Sequence, residues 1–317
     1  MKELKILAVV VFFSLVTYWL VEPYAHGIMH KKVDSKNFAY SDLDDVTKGV
    51  MSKTGDATRG ADLIVSGGCT GCHSINVADI PATMDAVTAA GIYGVNPPDL
   101  SNTGVIYDAK FLADLIKNPA HALKVEHKFT PESGKMHPMV PFYGAGGDID
   151  QEIADIIVYL ESIAVSVEDV TPEMAFEDAC ARCHTVDFIN STYTGKIPAF
   201  KSKKDELAFE IKILEYEDSL KTYMGKLPPD LSMYYLSRSP HYISTFIEDP
   251  QSYLKGTSMP RVGVTEDSAE KIIEYMADSA DSKRHQRDEI GKYVIYFSII
   301  FAILAILWKK EVWRDLK

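Results

Sequence analysis

The chain has 317 residues, 46% of them hydrophobic and 25% charged, proportions that exclude a disordered chain, a collagen-like repeat and a polytopic membrane protein. The length predicts about two domains. Lys plus Arg number 33 against 45 Asp plus Glu, a net charge of −12, which excludes a broad nucleic-acid-binding face because phosphates need a basic surface.

Near the start, Ile6 to Val21 is a run of sixteen uncharged residues, preceded by Lys2 and Lys5. Counted on to Tyr24, it reaches the minimum of about 17 residues that a helix needs to cross the hydrocarbon core. Tyr18-Trp19 stand where an interfacial belt would sit. Ala25-His26-Gly27 is a weak cleavage site, so a signal peptide is the alternative to a retained anchor over residues 1–25. The run is long for a signal peptide, which favours the anchor. Residues 26–55 read as a connector. His26 and His30 lie in it, but two ligands alone make no closed metal site.

Ala57 to Val65 is predicted as a helix leading into Cys69-Thr70-Gly71-Cys72-His73. Cys-x-x-Cys-His is the c-type haem attachment signature. Two thiols about one helical turn apart reach the two vinyl groups of one porphyrin, and the next residue, His, comes beneath the iron as its ligand. One CxxC by itself would also suit a redox dithiol or half a zinc site. Pro97-Pro98-Asp99-Leu100-Ser101 follows, then a helix over Asp108 to Lys117 stopped by Pro119. Lys135-Met136-His137-Pro138-Met139 offers two thioethers and an imidazole. Gln151 to Ser162 closes this stretch, with Ile153, Ile156, Ile157 and Leu160 at helical spacing.

The pattern then repeats. Cys180-Ala181-Arg182-Cys183-His184 lies 111 residues after the first pentapeptide, and Pro228-Pro229-Asp230-Leu231-Ser232 lies 131 after the first Pro-Pro word. In both copies another proline, Pro119 or Pro250, comes 22 residues after that word starts. Agreement in words and spacing predicts two copies of one module, over 56–165 and 166–285. Twenty extra residues separate the second pentapeptide from its Pro-Pro word, and Lys203 to Tyr223 within that stretch reads as an added amphipathic helix. Ser268 to Met276 closes the second copy. All four cysteines are used by the pentapeptides, which leaves none for a disulfide framework.

The sixth iron ligand must come from elsewhere. Met259, in Gly256-Thr257-Ser258-Met259-Pro260, is the candidate for the second copy; it is flanked by Pro and polar residues rather than an apolar face. For the first copy, Met139 is favoured and Met136 is the alternative. Met139 stands twenty residues before Tyr159-Leu160, and Met259 stands sixteen before Tyr275-Met276. His/Met ligation of His73 with Met139, and of His184 with Met259, would raise the potential and fill both axial positions. The expectation is one-electron relay without acid–base catalysis. His121, His127, His241 and His285 read as surface or packing residues. The sequence holds no Walker loop, Rossmann fingerprint, nucleophile elbow or HExxH motif.

Tyr293 to Trp308 is a second uncharged run of sixteen, with Lys292 before it and Lys309, Lys310, Arg314 and Lys317 after it. It predicts a membrane anchor over 286–317. Basic flanks place both termini in the cytoplasm and the body on the outer face of the membrane, the periplasmic side if that is a bacterial inner membrane. The first 22 residues are neutral and residues 292–317 carry +3, so the body between them carries −15. Such a body would steer a basic soluble partner.

No stretch alternates with period two, so the body is predicted to be all-α. The repeated module resembles a class I cytochrome c domain, and the whole chain then reads as two tandem haem domains between terminal transmembrane helices. The second copy also resembles cytochrome c1, the haem subunit of cytochrome bc complexes. The likeness lies in Leu227-Pro228-Pro229-Asp230-Leu231-Ser232, Arg238, Tyr242, Met259-Pro260, Arg284-His285-Gln286-Arg287 and the tail Trp308 to Lys317. Two modules and a front anchor set the chain apart from ordinary cytochrome c1. It is similar to the dihaem variant of that subunit in epsilonproteobacterial bc complexes of the Campylobacter–Helicobacter lineage. The resemblance implies two covalently bound haem c groups, attached at Cys69, Cys72, Cys180 and Cys183. It implies cytochrome b and Rieske iron–sulfur subunits as partners, with a soluble cytochrome c or a terminal oxidase as acceptor. The other classes are a dihaem subunit of a cbb-type haem–copper oxidase and a free-standing membrane shuttle. The C-terminal anchor argues against the oxidase subunit.

Overall fold

Side-chain caps start most of the helices in the computed structural model, which describes residues 2–25, 38–130, 132 and 134–314. The chain begins with α1 (Lys2–Ala25) and, past the connector, α2 (Asp44–Met51). The first copy holds α3 (Ala57–Ser66), α4 (Ala86–Tyr93), α5 (Ala109–Lys117) and α6 (Ile149–Ile163). The second holds α7 (Pro172–Phe176), α8 (Lys203–Met224), α9 (Pro240–Glu248) and α10 (Glu266–Ala280). The last helix is α11 (Arg284–Val312). Asp56, Asp85, Asp108, Asp148, Thr171, Ser202, Ser239 and Thr265 each accept an amide hydrogen bond at the start of α3 to α10. Each such cap contributes about 1 kcal/mol.

The protein is mostly helical, and helices stand where the spacing predicts them. An antiparallel hairpin, β1 (Ser191–Thr192) with β2 (Gly195–Lys196), is the departure, too short to show an alternating pattern. The inserted helix α8 is amphipathic only toward its end. Tyr216, Leu220 and Met224 are buried, whereas Leu207, Ile211 and Leu214 are exposed. Helices α1 and α11 are long and apolar enough to cross a membrane, and neither buries a residue in the body. His26, His30 and the last three residues of the tail lie outside the described residues.

In each copy the helix before the pentapeptide packs on the closing helix, α3 on α6 and α7 on α10. Helices α4 and α8 pack on each other. One apolar core runs through both copies and includes Ile106, Phe111, Ile153, Phe176, Ile243 and Ile272. Full burial contributes about 1.5–3 kcal/mol for each such side chain. The segments at 106–108 and 263–265 pair as a short ladder. Asp108 donates to Gly263 at 2.9 Å and Thr265 to Ile106 at 2.9 Å. Gly263 has φ of 80°, and a Cβ there would overlap the Phe111 ring, so glycine is required on both counts.

Residues 38–51 are more than a connector. Phe38, Tyr40, Leu43 and Val50 are buried in the common core. The Phe38 amide donates to Glu248 at 3.0 Å, the Tyr40 hydroxyl to the Val264 carbonyl at 2.6 Å, and Arg261 to Asp42 at 2.6 Å. This segment therefore clasps the second copy while α2 packs on α5 and α6 of the first.

Asp155 on α6 joins the ends of the first copy. Its fully buried carboxylate accepts from the Asp56 amide at 2.8 Å, from Gln151 at 3.0 Å and from the Arg59 guanidinium. Burial alone would raise its pKa, but the Arg59, Gln151 and Asp56 bonds more than offset it and hold the group below the usual carboxylate value. A depressed folded pKa stabilises above the unfolded value of about 3.9, and that stability is lost as pH falls through the folded pKa. Asp155→Asn is expected to be less stable at neutral pH, with a flatter loss on acidification. Urea unfolding of wild type and variant, compared between neutral pH and about pH 3, checks this.

Candidate functional site

The two pentapeptides stand in closely similar surroundings. The first follows α3 through Gly67 and Gly68, the latter left-handed with φ of 79°. The second continues α7 through a π-helical turn, Glu177–Ala181. In the first, the His73 Nδ1–H donates to the Pro98 carbonyl at 2.9 Å. In the second, the His184 Nδ1–H donates to the Pro229 carbonyl at 2.8 Å. A carbonyl only accepts, so each imidazole is the Nδ1–H tautomer with its Nε2 lone pair available to a metal. Burial lowers the pKa of both rings, opposed by the bond to the proline carbonyl, so both are neutral at pH 7, as a metal ligand must be.

Beside the second proline, the Asp, Leu and Ser of the repeated Pro-Pro-Asp-Leu-Ser word each hold the histidine loop. The Asp99 carboxylate accepts from Asn76 at 3.1 Å, the Leu100 amide donates to Ser74 at 2.8 Å, and the Ser101 hydroxyl accepts from Val77 at 3.1 Å. The second copy makes the same three bonds: Asp187 to Asp230 at 3.0 Å, Leu231 to Thr185 at 2.9 Å, and Phe188 to Ser232 at 3.0 Å. Asp79 and Asn190, each six residues after its histidine, share a left-handed φ of 56°. The sequence marked the word as repeated. Its service as the clamp of the histidine loop is visible only in the fold.

Cys69, Cys72, Cys180 and Cys183 are all free thiols. Burial raises the pKa of Cys69 and Cys183 and pushes Cys180 up to about 12. The Cys72 thiol donates to the Tyr93 hydroxyl at 3.4 Å. Two free thiols beside one neutral imidazole, in each copy, fit covalent haem with an axial histidine. Zinc fits less well, because no cluster of three or more His, Cys, Asp or Glu able to hold a metal occurs among the described residues.

The methionine loops are held differently. Met139 is half-buried, and its amide donates at 3.2 Å to Nδ1 of His137. His137 meets the Phe129 ring edge-on, and its Nε2 lies 3.2 Å from the Tyr223 hydroxyl. Three residues on, Phe142 packs into the apolar cluster that includes Leu63 and Cys69. Met136 is 80% exposed. Met259 is half-buried; its amide donates to Thr257 at 3.4 Å, and its carbonyl accepts from Gln251. Of the remaining histidines, His121 pairs with Asp114 at 2.6 Å and His285 with Asp278 at 3.1 Å.

The cytochrome c family model matches residues 57–164, about a third of the chain, ending before the second pentapeptide. A solved structure described as a hyperthermophilic respiratory Complex III is similar at 22% identity, over 50% of this chain and 79% of that one, with a TM-score of 0.35. No curated protein matches. The chain therefore carries a cytochrome c domain at residues 57–164, and with it covalently bound haem c and electron transfer.

Proposed function

We propose that the chain is a membrane-anchored dihaem c-type cytochrome that relays single electrons. One observation carries this reading: the histidine clamp of the cytochrome c domain is repeated, bond for bond, around the second pentapeptide. Cys69 and Cys72 would attach one haem and Cys180 and Cys183 the other. His73 with Met139, and His184 with Met259, would supply the axial ligands. Bound haem supplies a one-electron couple. The chain's own residues orient it: the proline carbonyls fix each imidazole. Helices α1 and α11 would be the anchors, with both termini cytoplasmic and the body periplasmic.

The c1-like features of the second copy favour membership of a quinol:cytochrome c reductase. A Rieske protein would deliver electrons, cytochrome b would hold the quinol chemistry, and a soluble cytochrome c or terminal oxidase would accept. Purification in mild detergent, with redox difference spectra, haem stoichiometry and subunit identification on one sample, tests this. The expected result is two haems c per chain with b-type haem and an iron–sulfur protein. Copper and oxidase subunits, or no partner, would overturn membership of the reductase.

A further inference from the structure

The inserted helix α8 lies where it reaches both proposed haem sites. Tyr216 on it is fully buried and stacks on Tyr193, with ring centroids 5.1 Å apart. Its hydroxyl donates to the Arg182 carbonyl at 2.8 Å, inside the second pentapeptide. The same oxygen accepts from the Asn96 amide at 3.1 Å. Asn96 directly precedes Pro97-Pro98, whose second carbonyl holds His73. Two turns further along the helix, Tyr223 meets His137, the residue that holds the Met139 amide. A Cβ at Gly94 would press on the Tyr223 side chain, so α4 and α8 touch closely here. A cavity of about 260 Å³ opens at the same junction, lined by Pro98 and Asp99 from one copy and Asp178 and Arg182 from the other.

We propose that α8 couples the two haem sites and that Tyr216 is the positioning residue, its one hydroxyl tying the second pentapeptide to the loop that carries the first histidine. The inference rests on the dihaem reading. A continuous route runs from Cys183 through the Arg182 carbonyl, the Tyr216 hydroxyl, Asn96, Pro97 and Pro98 to His73. The step it serves is exchange of one electron: one site is oxidised as the other is reduced, and no bond is made or broken. Burial raises the pKa of Tyr216, so its proton stays on oxygen throughout.

Tyr216→Phe keeps the stacked ring and deletes both hydrogen bonds. In the full-length protein in detergent, electron exchange between the haems after flash reduction is expected to slow about tenfold, the low end of what partners outside the first ligand shell carry. Haem content and both absorption spectra are expected to stay as in wild type. Hydrogen exchange at the Asn96 amide is expected to quicken about tenfold. Tyr193→Phe keeps both Tyr216 bonds and is expected to leave the rate unchanged. An unchanged rate in Tyr216→Phe would overturn the proposal. So would an Asn96 amide already unprotected in the wild type, a measurement that needs no variant to fold. One haem per wild-type chain would overturn the dihaem reading itself, and haem content alone tells that failure apart.

Discussion

On the dihaem reading proposed above, replacing Met259 by leucine is expected to abolish quinol-driven reduction of both haems and to lower the potential of the second site by on the order of 0.1 V, a part of the roughly 0.8 V that axial ligands span. Leucine keeps the apolar volume and removes only the thioether, so loss of packing is not the cause. The expectation treats the second copy as the receiver of electrons, because the c1-like words lie there. Redox titration and stopped-flow reduction by quinol in the assembled complex check it. Continued reduction of the first haem would reverse the order. Met139→Leu is expected to lower the first potential instead. Met136→Leu is expected to change neither, because that side chain stands 80% exposed.

Gly60→Ala is expected to cost about 3 kcal/mol, the upper part of the range for overpacked positions. Gly60 is where α3 crosses α6. A Cβ there would overlap the Asp155 carbonyl oxygen and lie 2.7 Å from the Tyr159 Cβ. Backbone does not yield as the end of a flexible side chain does, so the two helices must separate. That would loosen the scaffold on which Cys69 and His73 are mounted. Gly91 on α4 is the contrast. Nothing lies within 4 Å of a Cβ built there, so Gly91→Ala is expected to stabilise by about 0.4–1 kcal/mol through the unfolded chain. Urea unfolding followed by circular dichroism measures both.

Features of the sequence that act over a few residues were legible. Cys-x-x-Cys-His places two thiols and an imidazole within one turn, whatever the rest of the chain does. Asp56, Asp108 and Asp148 lie just before apolar residues at helical spacing, and each caps the helix expected there. The uncharged runs at the two ends are legible for the same reason, since length and composition alone qualify them. The hairpin at Ser191–Lys196 escaped because two residues per strand carry no period.

Legible in the order of residues alone, then, are the two pentapeptides, the repetition of the Pro-Pro-Asp-Leu-Ser word and the helices around them. The tertiary structure alone decided how those pieces meet. Pro98 clamps His73 across 25 residues, Phe38 reaches Glu248 across 210, and Tyr216 reaches Asn96 across 120. Backbone conformation and capping depend on near neighbours, which a sequence displays side by side. A carbonyl carries no side-chain identity, and a hydroxyl's partner is set by the path of the whole chain, so neither leaves a mark in the order of residues.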